Sequence, residues 1–183
     1  SNEGALVLFD GETAAPLAVM DSIVVTSRRT AAATAVAAKY LALPQTDTVT
    51  VYGCGEQGRI HLHALARVRP LDRAYVFDLD RDKARQLAAR CRAELAIDVV
   101  STDDPVAALR HSQVCVTCTT SSRPIVHAAD VMPGTFVAAV GADNPAKQEL
   151  DPAILSENRV VLDLVASCAA NGGVHHAIAA GSM

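Results

Sequence analysis

The residues with the clearest chemical pattern form a glycine-rich turn, Gly53-Cys54-Gly55-Glu56-Gln57-Gly58. It follows Val49–Tyr52, an apolar run typical of a buried strand, and precedes a helical pattern. In such a turn the first glycine permits a tight bend, the second lets the backbone approach a diphosphate, and the third lets the helix pack closely on the strand. The helix N-terminus then presents unpaired N–H groups to the anion. The pattern predicts a dinucleotide-binding loop, in which the candidate contacts are Gly53, Gly55, Glu56, Gln57 and Gly58. The alternative is a purely structural turn.

An acidic residue stands where such a loop needs one. Asp78 lies twenty residues after Gly58, at the end of a second apolar run, Ala74–Phe77. A carboxylate at this place accepts hydrogen bonds from both hydroxyls of an adenosine ribose, and it repels a 2′-phosphate. Arg81, the nearest cation along the chain, stands between two aspartates. We therefore predict NAD as the cofactor in preference to NADP; otherwise Asp78 is a solvated strand end.

The order of the remaining elements is that of an α/β protein. From Thr48 onward strands and helices alternate, which favours parallel strands with right-handed crossovers. The sequence therefore predicts a doubly wound parallel sheet of the Rossmann type. Its predicted strands are Val49–Tyr52, Ala74–Phe77, Asp98–Val100, Val114–Thr117, Phe136–Val140 and Arg159–Asp163. Its predicted helices are Arg28–Ala42 with Ser27 as N-cap, Gln57–Arg69, Asp82–Leu95, Pro105–Leu109 and Pro152–Leu155. Upstream, Ala5–Phe9 and Leu17–Met20 flank a turn and predict a β-hairpin.

Composition narrows the classes of function. A net charge of −4 and 3% aromatic residues argue against nucleic acid as a partner. The longest uncharged stretch, 164–183, contains asparagine, glycines and two histidines, so no membrane span is expected. Five irregularly spaced cysteines and the lack of a signal pattern predict a reducing cytoplasm. The pairs Cys115/Cys118 and His61/His63 point apart on a strand and a helix, so no metal site is predicted.

Four blocks of the sequence resemble the ornithine cyclodeaminase and mu-crystallin family. They are Arg29–Ala32 with Ala38–Ala42, the glycine-rich loop, Thr117–Thr119 with Pro124, and Pro133–Leu150. The last block contains VGADNPAKQEL and is the most distinctive. The order and spacing of the blocks also match, so the resemblance covers nearly the whole chain.

The resemblance implies a nicotinamide-dependent enzyme that acts on the Cα–N bond of a small amino or imino acid. It implies that Asp143 is an acid/base near the substrate nitrogen, and Asp143 also follows a predicted strand end, where ligands of open α/β sheets bind. It places the substrate-carboxylate arginine at Arg29, whose planar fork suits that task. Thr117, Thr119 and Ser121 are expected to hydrogen-bond the nicotinamide ribose or carboxamide. The alternatives are a helix cap at Asp143, a solvated Arg29 and a simple polar loop.

Two features depart from the family pattern. Ala146 stands where the family usually has glycine, which restricts the backbone near Asp143. The family also draws a lysine and a glutamate of its pocket from a segment upstream of this sequence. Either the chain is part of a longer protein or it has lost half of the pocket, and the hairpin of residues 5–20, which resembles the end of the family's substrate domain, favours the former. The resemblance then implies that residues 1–26 end a substrate and dimerisation domain, that 27–163 form the NAD-binding domain, and that 164–183 return toward the former. A homodimer through the substrate domain is expected.

The lead reaction implied is conversion of ornithine to proline and ammonia, with a hydride removed from Cα and then returned. An amino-acid dehydrogenase and an imine or ketimine reductase are alternatives within the same chemistry. A non-enzymatic, mu-crystallin-like ligand-binding protein is an alternative of another class.

Overall fold

The computed structural model describes residues 4–183, and the first element in that range is the predicted antiparallel hairpin. Its strands, β1 (Ala5–Phe9) and β2 (Pro16–Asp21), pair with Ala5 opposite Asp21. The Asp10 carboxylate closes the turn by accepting hydrogen bonds from the backbone N–H groups of Glu12 and Thr13, at 3.0 and 2.7 Å. The hairpin is confirmed, and most of its apolar side chains are exposed.

Helix α1 (Ser22–Leu41) begins earlier than predicted. The prediction of Ser27 as its N-cap is wrong, because Asp21 caps the helix by accepting from the N–H of Ile23 at 2.7 Å. Ser27 lies buried inside the helix, on a narrow face with Ala31, Ala35 and Ala38. These small side chains allow α1 to pack against the helix that follows the glycine-rich loop.

The predicted alternation of strands and helices is confirmed from Thr48 onward. The elements are β3 (Thr48–Tyr52), α2 (Glu56–Leu65), β4 (Arg73–Phe77), α3 (Arg81–Glu94), β5 (Asp98–Ser101), α4 (Pro105–Arg110), β6 (Val114–Thr117), β7 (Ser122–Val126), β8 (Phe136–Ala139), β9 (Gln148–Leu150), α5 (Pro152–Ser156), α6 (Val165–Ala170) and α7 (Gly172–Ala179). The main sheet is parallel, in the order β5-β4-β3-β6-β8. The chain winds outward from β3 through β4 to β5 and then crosses back to β6, so the strand order reverses between β3 and β6.

The sheet has five strands among the described residues, so the prediction of a sixth strand at Arg159–Asp163 is wrong. Val161 in that segment is 61% exposed, and no neighbouring strand pairs with it. A small second sheet, in which β7 pairs in parallel with β9, was not predicted from the sequence. Both of its strands are short, and β7 contains Pro124, which removes a ladder donor.

Helices cover both faces of the main sheet. Valines of the central strands are fully buried between them, as expected for parallel strands: Val49, Val51, Val76, Val99, Val114 and Val116. On one face they pack with Leu62, Leu65 and Leu87 of α2 and α3. On the other, Leu109 of α4 and Ile154 of α5 close a second cluster. Burial of each such side chain contributes about 1.5–3 kcal/mol to the free energy of folding. The packed core therefore holds the strands, and with them the edge at which they end, in place.

None of the helices in residues 4–183 combines the length and apolarity needed to cross a bilayer.

Two glycines of the same loop have opposite steric surroundings, which gives a stability prediction. A Cβ at Gly58 would collide with the Gly53 carbonyl oxygen, whereas a Cβ at Gly55 meets nothing within 4 Å. We expect Gly58→Ala to lower the free energy of unfolding by about 1–3 kcal/mol, because the backbone cannot yield as a flexible side chain can. Gly55→Ala is the matched control, with an expected loss below about 1 kcal/mol. Urea unfolding compares the two, and equal losses would contradict the steric argument.

Candidate functional site

The site forms where β3 and β6 end and the strand order reverses. Gly53 directly follows β3, and its φ of +99° lies in the left-handed region that favours glycine. Its N–H donates to the carbonyl of Phe77 at the end of β4, at 2.9 Å. A Cβ at Gly53 would lie 2.7 Å from the Cys118 carbonyl oxygen, in the loop after β6. A single residue therefore ties together the ends of three strands.

The rest of the loop leaves its middle open. Gly58 sits in the first turn of α2, where its missing side chain allows the Gly53 carbonyl to approach. Gly55 is the N-cap residue of α2 and is exposed, with open space where a side chain would be. This is the shape that a diphosphate needs, since its oxygens must come close to backbone N–H groups.

Two side chains at the start of α2 are occupied within the protein. The carboxylate of Glu56 accepts from Arg59 at 2.8 Å, and this hydrogen bond lowers the pKa of Glu56. Gln57 donates through Nε2 to the hydroxyl of Ser27 at 3.4 Å, so it links α2 to α1. The oxygen of the same amide, Oε1, is buried without a hydrogen-bond partner among the described residues.

Asp78 lies against the glycine-rich loop, as its spacing predicts. Its Oδ2 accepts from the N–H of Cys54 at 2.8 Å, and its Oδ1 accepts from the N–H of Asp80 at 3.0 Å. Asp78, Arg81, Thr102 and Asp103 line a small pocket beside it. The guanidinium of Arg81 is paired there with Asp103, at 3.1 Å. Each oxygen of Asp78 keeps a lone pair for a further donor.

Cys54 carries the thiol of the loop, a potential nucleophile, and its surroundings keep this thiol protonated. Burial raises the pKa of the Cys54 thiol to about 12, and the nearby Asp78 carboxylate adds to this effect. A thiol with such a pKa stays protonated at neutral pH, and the protonated form is a poor nucleophile. The loop is therefore suited to binding and not to covalent catalysis.

The three hydroxyl residues at the end of β6 and in the loop after it face inward more than the sequence suggested. Thr117 is fully buried, and its hydroxyl donates to Glu149 at 2.8 Å. The hydroxyl of Thr119 donates to the same carboxylate at 2.8 Å, and that of Ser121 donates to the Arg123 carbonyl at 2.7 Å. In this arrangement all three hydroxyl protons are used within the protein. The expected contacts with a nicotinamide stay a prediction for Thr119 and Ser121. At Thr117 they lose their geometric basis, because this residue is fully buried.

Asp143 lies in the loop between β8 and β9, beyond the carboxyl end of β8. Its side chain is 53% exposed, and its Oδ1 accepts from Lys147 Nζ at 2.8 Å and from Asn144 Nδ2 at 3.1 Å. Residues 145–147 form a turn and no helix, so Asp143 does not cap one. Ala146 is accommodated here without a positive φ. An exposed carboxylate beside an ammonium group is thus presented at the edge where the strands end.

Arg29 is exposed on α1, and its side chain forms no hydrogen bond or ion pair with other residues in the range 4–183. Its helix is connected to the glycine-rich loop through the hydrogen bond between Ser27 and Gln57. The structure therefore joins Asp78 to the loop, and the segment after β6 to the segment after β8, but it shows no contact that engages Arg29.

Lys147 and Glu149 were not predicted as site residues. Lys147 stands four residues after Asp143, and the two side chains meet only because residues 144–147 form a turn. Glu149 gave a clearer signal, because it is an ionisable residue next to an apolar one in a short strand, QEL. A charged side chain there must find hydrogen-bond partners if it is buried.

A separate cluster joins α2 and α3 and does not suit a metal ion. Potential ligand atoms of His63, Cys91 and Glu94 lie within 4.8 Å of one another. The Glu94 carboxylate already accepts from Arg90 at 2.9 Å and from Arg59 at 3.4 Å. A cation would have to displace these guanidinium groups, so we interpret the cluster as an ion-pair network between the two helices.

The chain is similar to several known proteins along nearly its whole length. The chain is 37% identical to an uncharacterized cyclodeaminase of Sinorhizobium fredii, over 99% of this chain and 55% of the relative. It superposes on an archaeal alanine dehydrogenase dimer with bound NAD, with a TM-score of 0.93 and 35% identity over 99% of this chain and 56% of the other. Against Thermococcus litoralis Δ1-pyrroline-2-carboxylate reductase, in complex with NADH and L-proline, the TM-score is 0.95 and the identity 28%, over 99% and 56%.

The chain thus spans about half the length of the curated relatives it matches. Residues 2–180 match the model of the ornithine cyclodeaminase/mu-crystallin family. This match and the shared fold carry the same conclusion as the four sequence blocks: the chain belongs to the ornithine cyclodeaminase/mu-crystallin family.

Proposed function

We propose that the complete protein is an NAD-dependent enzyme acting on the Cα–N bond of a small amino or imino acid, with ornithine cyclodeamination as the lead reaction. The observation that carries the proposal is the contact between the Asp78 carboxylate and the N–H of Cys54, at 2.8 Å. This contact holds the carboxylate that we propose binds the adenosine ribose beside the open glycine-rich loop. Relatives solved with NAD or NADH support the same cofactor.

The residues present fit the two ends of an adenosine diphosphate. Gly55 leaves room for the diphosphate at the N-terminus of α2, and Asp78 has lone pairs for the two ribose hydroxyls. A 2′-phosphate would meet the Asp78 charge, while Arg81, the cation that could compensate it, is paired with Asp103. These contacts favour NAD over NADP.

The chain's candidate acid/base group, Asp143, lies in the loop after β8, across the point between β3 and β6 where the strand order reverses. When bound, NAD supplies a hydride acceptor for Cα. Asp143 is placed to take a proton from the substrate nitrogen and to give one to a leaving amine, as a general base and then a general acid. Lys147 Nζ donates to Asp143 Oδ1 at 2.8 Å and orients that carboxylate. Arg29 would bind the substrate carboxylate.

The relatives support two outcomes for the hydride. Alanine dehydrogenase and pyrroline-carboxylate reductase carry out net redox chemistry by name, whereas the Sinorhizobium relative is named a cyclodeaminase. A mu-crystallin-like binding protein is the second candidate, because Asp78 and the glycine-rich loop would serve binding as well as catalysis.

We further propose that the hairpin completes a substrate domain through which the protein forms a homodimer. Its strands expose Phe9, Leu17 and Val19, at 56, 60 and 71%, and such a patch is normally covered. We divide the described chain accordingly at about residues 26 and 163. Light scattering of the complete protein at micromolar concentration should give the mass of two chains, and a monomer would contradict the proposal.

The function is tested by supplying the complete protein with NAD and ornithine, alanine or proline, and in a separate assay with NADH and a cyclic imine. Proline formed from ornithine without net NADH indicates a cyclodeaminase. Net NADH indicates a dehydrogenase, and NADH consumed with a cyclic imine indicates a reductase. Binding of NAD with no turnover of any of these compounds would favour the binding protein.

Asp78→Ser tests the cofactor assignment. We expect the Kd for NAD to rise at least tenfold, since hydrogen bonds to a charged group contribute about 1.5–3 kcal/mol. The ratio of NADP to NAD affinity should rise as well, because the repelling charge is gone. Calorimetric titration measures both constants. Asp72→Ser, at an exposed position away from the loop, is the control and should leave them unchanged.

Asp143→Asn tests the acid/base assignment. The amide keeps the size of the side chain but cannot accept a proton, so we expect kcat to fall by about 10²–10⁴. The Kd for NAD should change little, because Asp143 lies outside the glycine-rich loop. Steady-state kinetics and NAD titration of the same preparations separate the two effects. A kcat near that of wild type would remove Asp143 from the mechanism.

A further inference from the structure

We propose that Glu149 is a positioning residue, which holds the loop bearing Asp143 against the loop that follows β6. Its side chain is 1% exposed, in β9. Oε1 accepts from the N–H and the hydroxyl of Thr119, at 2.6 and 2.8 Å. Oε2 accepts from the Thr117 hydroxyl and from the N–H of Gly141, both at 2.8 Å. One carboxylate thus receives four hydrogen bonds from two separate loops.

These hydrogen bonds replace an ion pair. No arginine, lysine or histidine within residues 4–183 forms a salt bridge with Glu149, so its charge is compensated by N–H and O–H dipoles. A buried carboxylate without such partners would be very costly. The donors must therefore stay where they are as long as the carboxylate is present, which makes the arrangement rigid.

The position of the carboxylate explains why it controls Asp143. The hydrogen bond from Gly141 to Glu149 closes a short loop, and Asp143 lies inside it. The Gly141 N–H also donates to the Thr117 carbonyl at 3.1 Å, so the start of this loop is fixed on β6 as well. A Cβ at Gly141 would lie 2.6 Å from the Thr119 nitrogen, which shows how closely the two loops approach.

Helix α7 holds the far side of the same loop. Gly172, with a φ of +70°, packs without a side chain against the Ala142 carbonyl. The His176 ring donates through Nε2 to the Lys147 carbonyl at 3.1 Å. The loop is therefore fixed at both ends and along its length, and Glu149 supplies the contacts on the side of the sheet.

Glu149→Gln changes the balance of donors without changing the shape. The new NH2 group must face two of the four donors, and a backbone N–H cannot turn to accept as a hydroxyl can. The inference rests on the proposed function for its catalytic consequence, but the contacts themselves are tested independently. The Thr119 N–H is the best reporter, because its hydrogen bond goes to Glu149, while the Gly53 N–H reports on the cofactor loop.

The test uses the complete protein, with Glu149→Gln, wild type and Glu157→Gln, an exposed glutamate, as control. We expect amide exchange at Thr119 and Gly141 to accelerate at least about tenfold, with Gly53 unchanged. We expect kcat to fall at least about tenfold, with the Kd for NAD within about threefold of wild type. Glu157→Gln should match wild type throughout.

The inference is overturned if Thr119 exchange is unchanged, if Gly53 accelerates equally, or if turnover stays at the wild-type level despite faster exchange. Should Glu149→Gln fail to fold, Thr117→Val replaces it; this near-isosteric change removes one donor, and effects of about threefold in the same directions are expected. No effect of Thr117→Val would then refute the inference. If wild type turns over no amino or imino acid, the proposed function fails, while the exchange data still decide whether Glu149 holds the loops.

Discussion

Backbone packs directly on backbone around Gly53, and the rest of the site depends on that contact. The residue receives the Cys118 carbonyl where a side chain would be, donates to the end of β4, and has its own carbonyl against Gly58. A Cβ at Gly53 would occupy the place of the Cys118 carbonyl, and a Cβ at Gly58 would occupy the place of the Gly53 carbonyl. The phosphate loop, the strand that ends at Asp78 and the loop after β6 are consequently fixed relative to one another before any ligand arrives.

Two carboxylates flank this centre and differ in what they leave free. Asp78 is partly exposed, with one backbone donor on each oxygen, so it can still accept from a ligand. Glu149 is buried, with two donors on each oxygen, so its capacity is used within the protein. The same chemical group therefore keeps free acceptor capacity at Asp78 and has none left at Glu149. The difference follows from burial and donor count.

Much of this arrangement was predictable from local sequence. The glycine-rich loop, the spacing to Asp78 and the five parallel strands of the sheet are encoded in short patterns whose physical reasons are local. The start of α1 was missed because Ser27 and Asp21 are both good capping residues, and the choice depends on where β2 ends. The strand expected at Arg159–Asp163 has suitable residues but no partner beside β8. Strand identity there is decided by neighbours that the segment itself does not specify.

The role of Glu149 was beyond sequence reasoning for the same reason. Its donors come from Thr117, Thr119 and Gly141, which reach it only once β9 has paired with β7 and β8 with β6. Thr117 was predicted as a ligand contact because it ends β6, next to the point where the strand order reverses. In the folded chain its hydroxyl is directed inward, to Glu149. Contacts between distant segments decided both cases.

The junction between the hairpin and the main sheet has a mechanical consequence. Asp21 is at once the last residue of β2 and the cap of α1, so strand passes into helix without a connecting loop. Because α1 packs against α2 along its buried face and its last carbonyls accept hydrogen bonds from Arg69, a force on the hairpin would load the contact between α1 and α2.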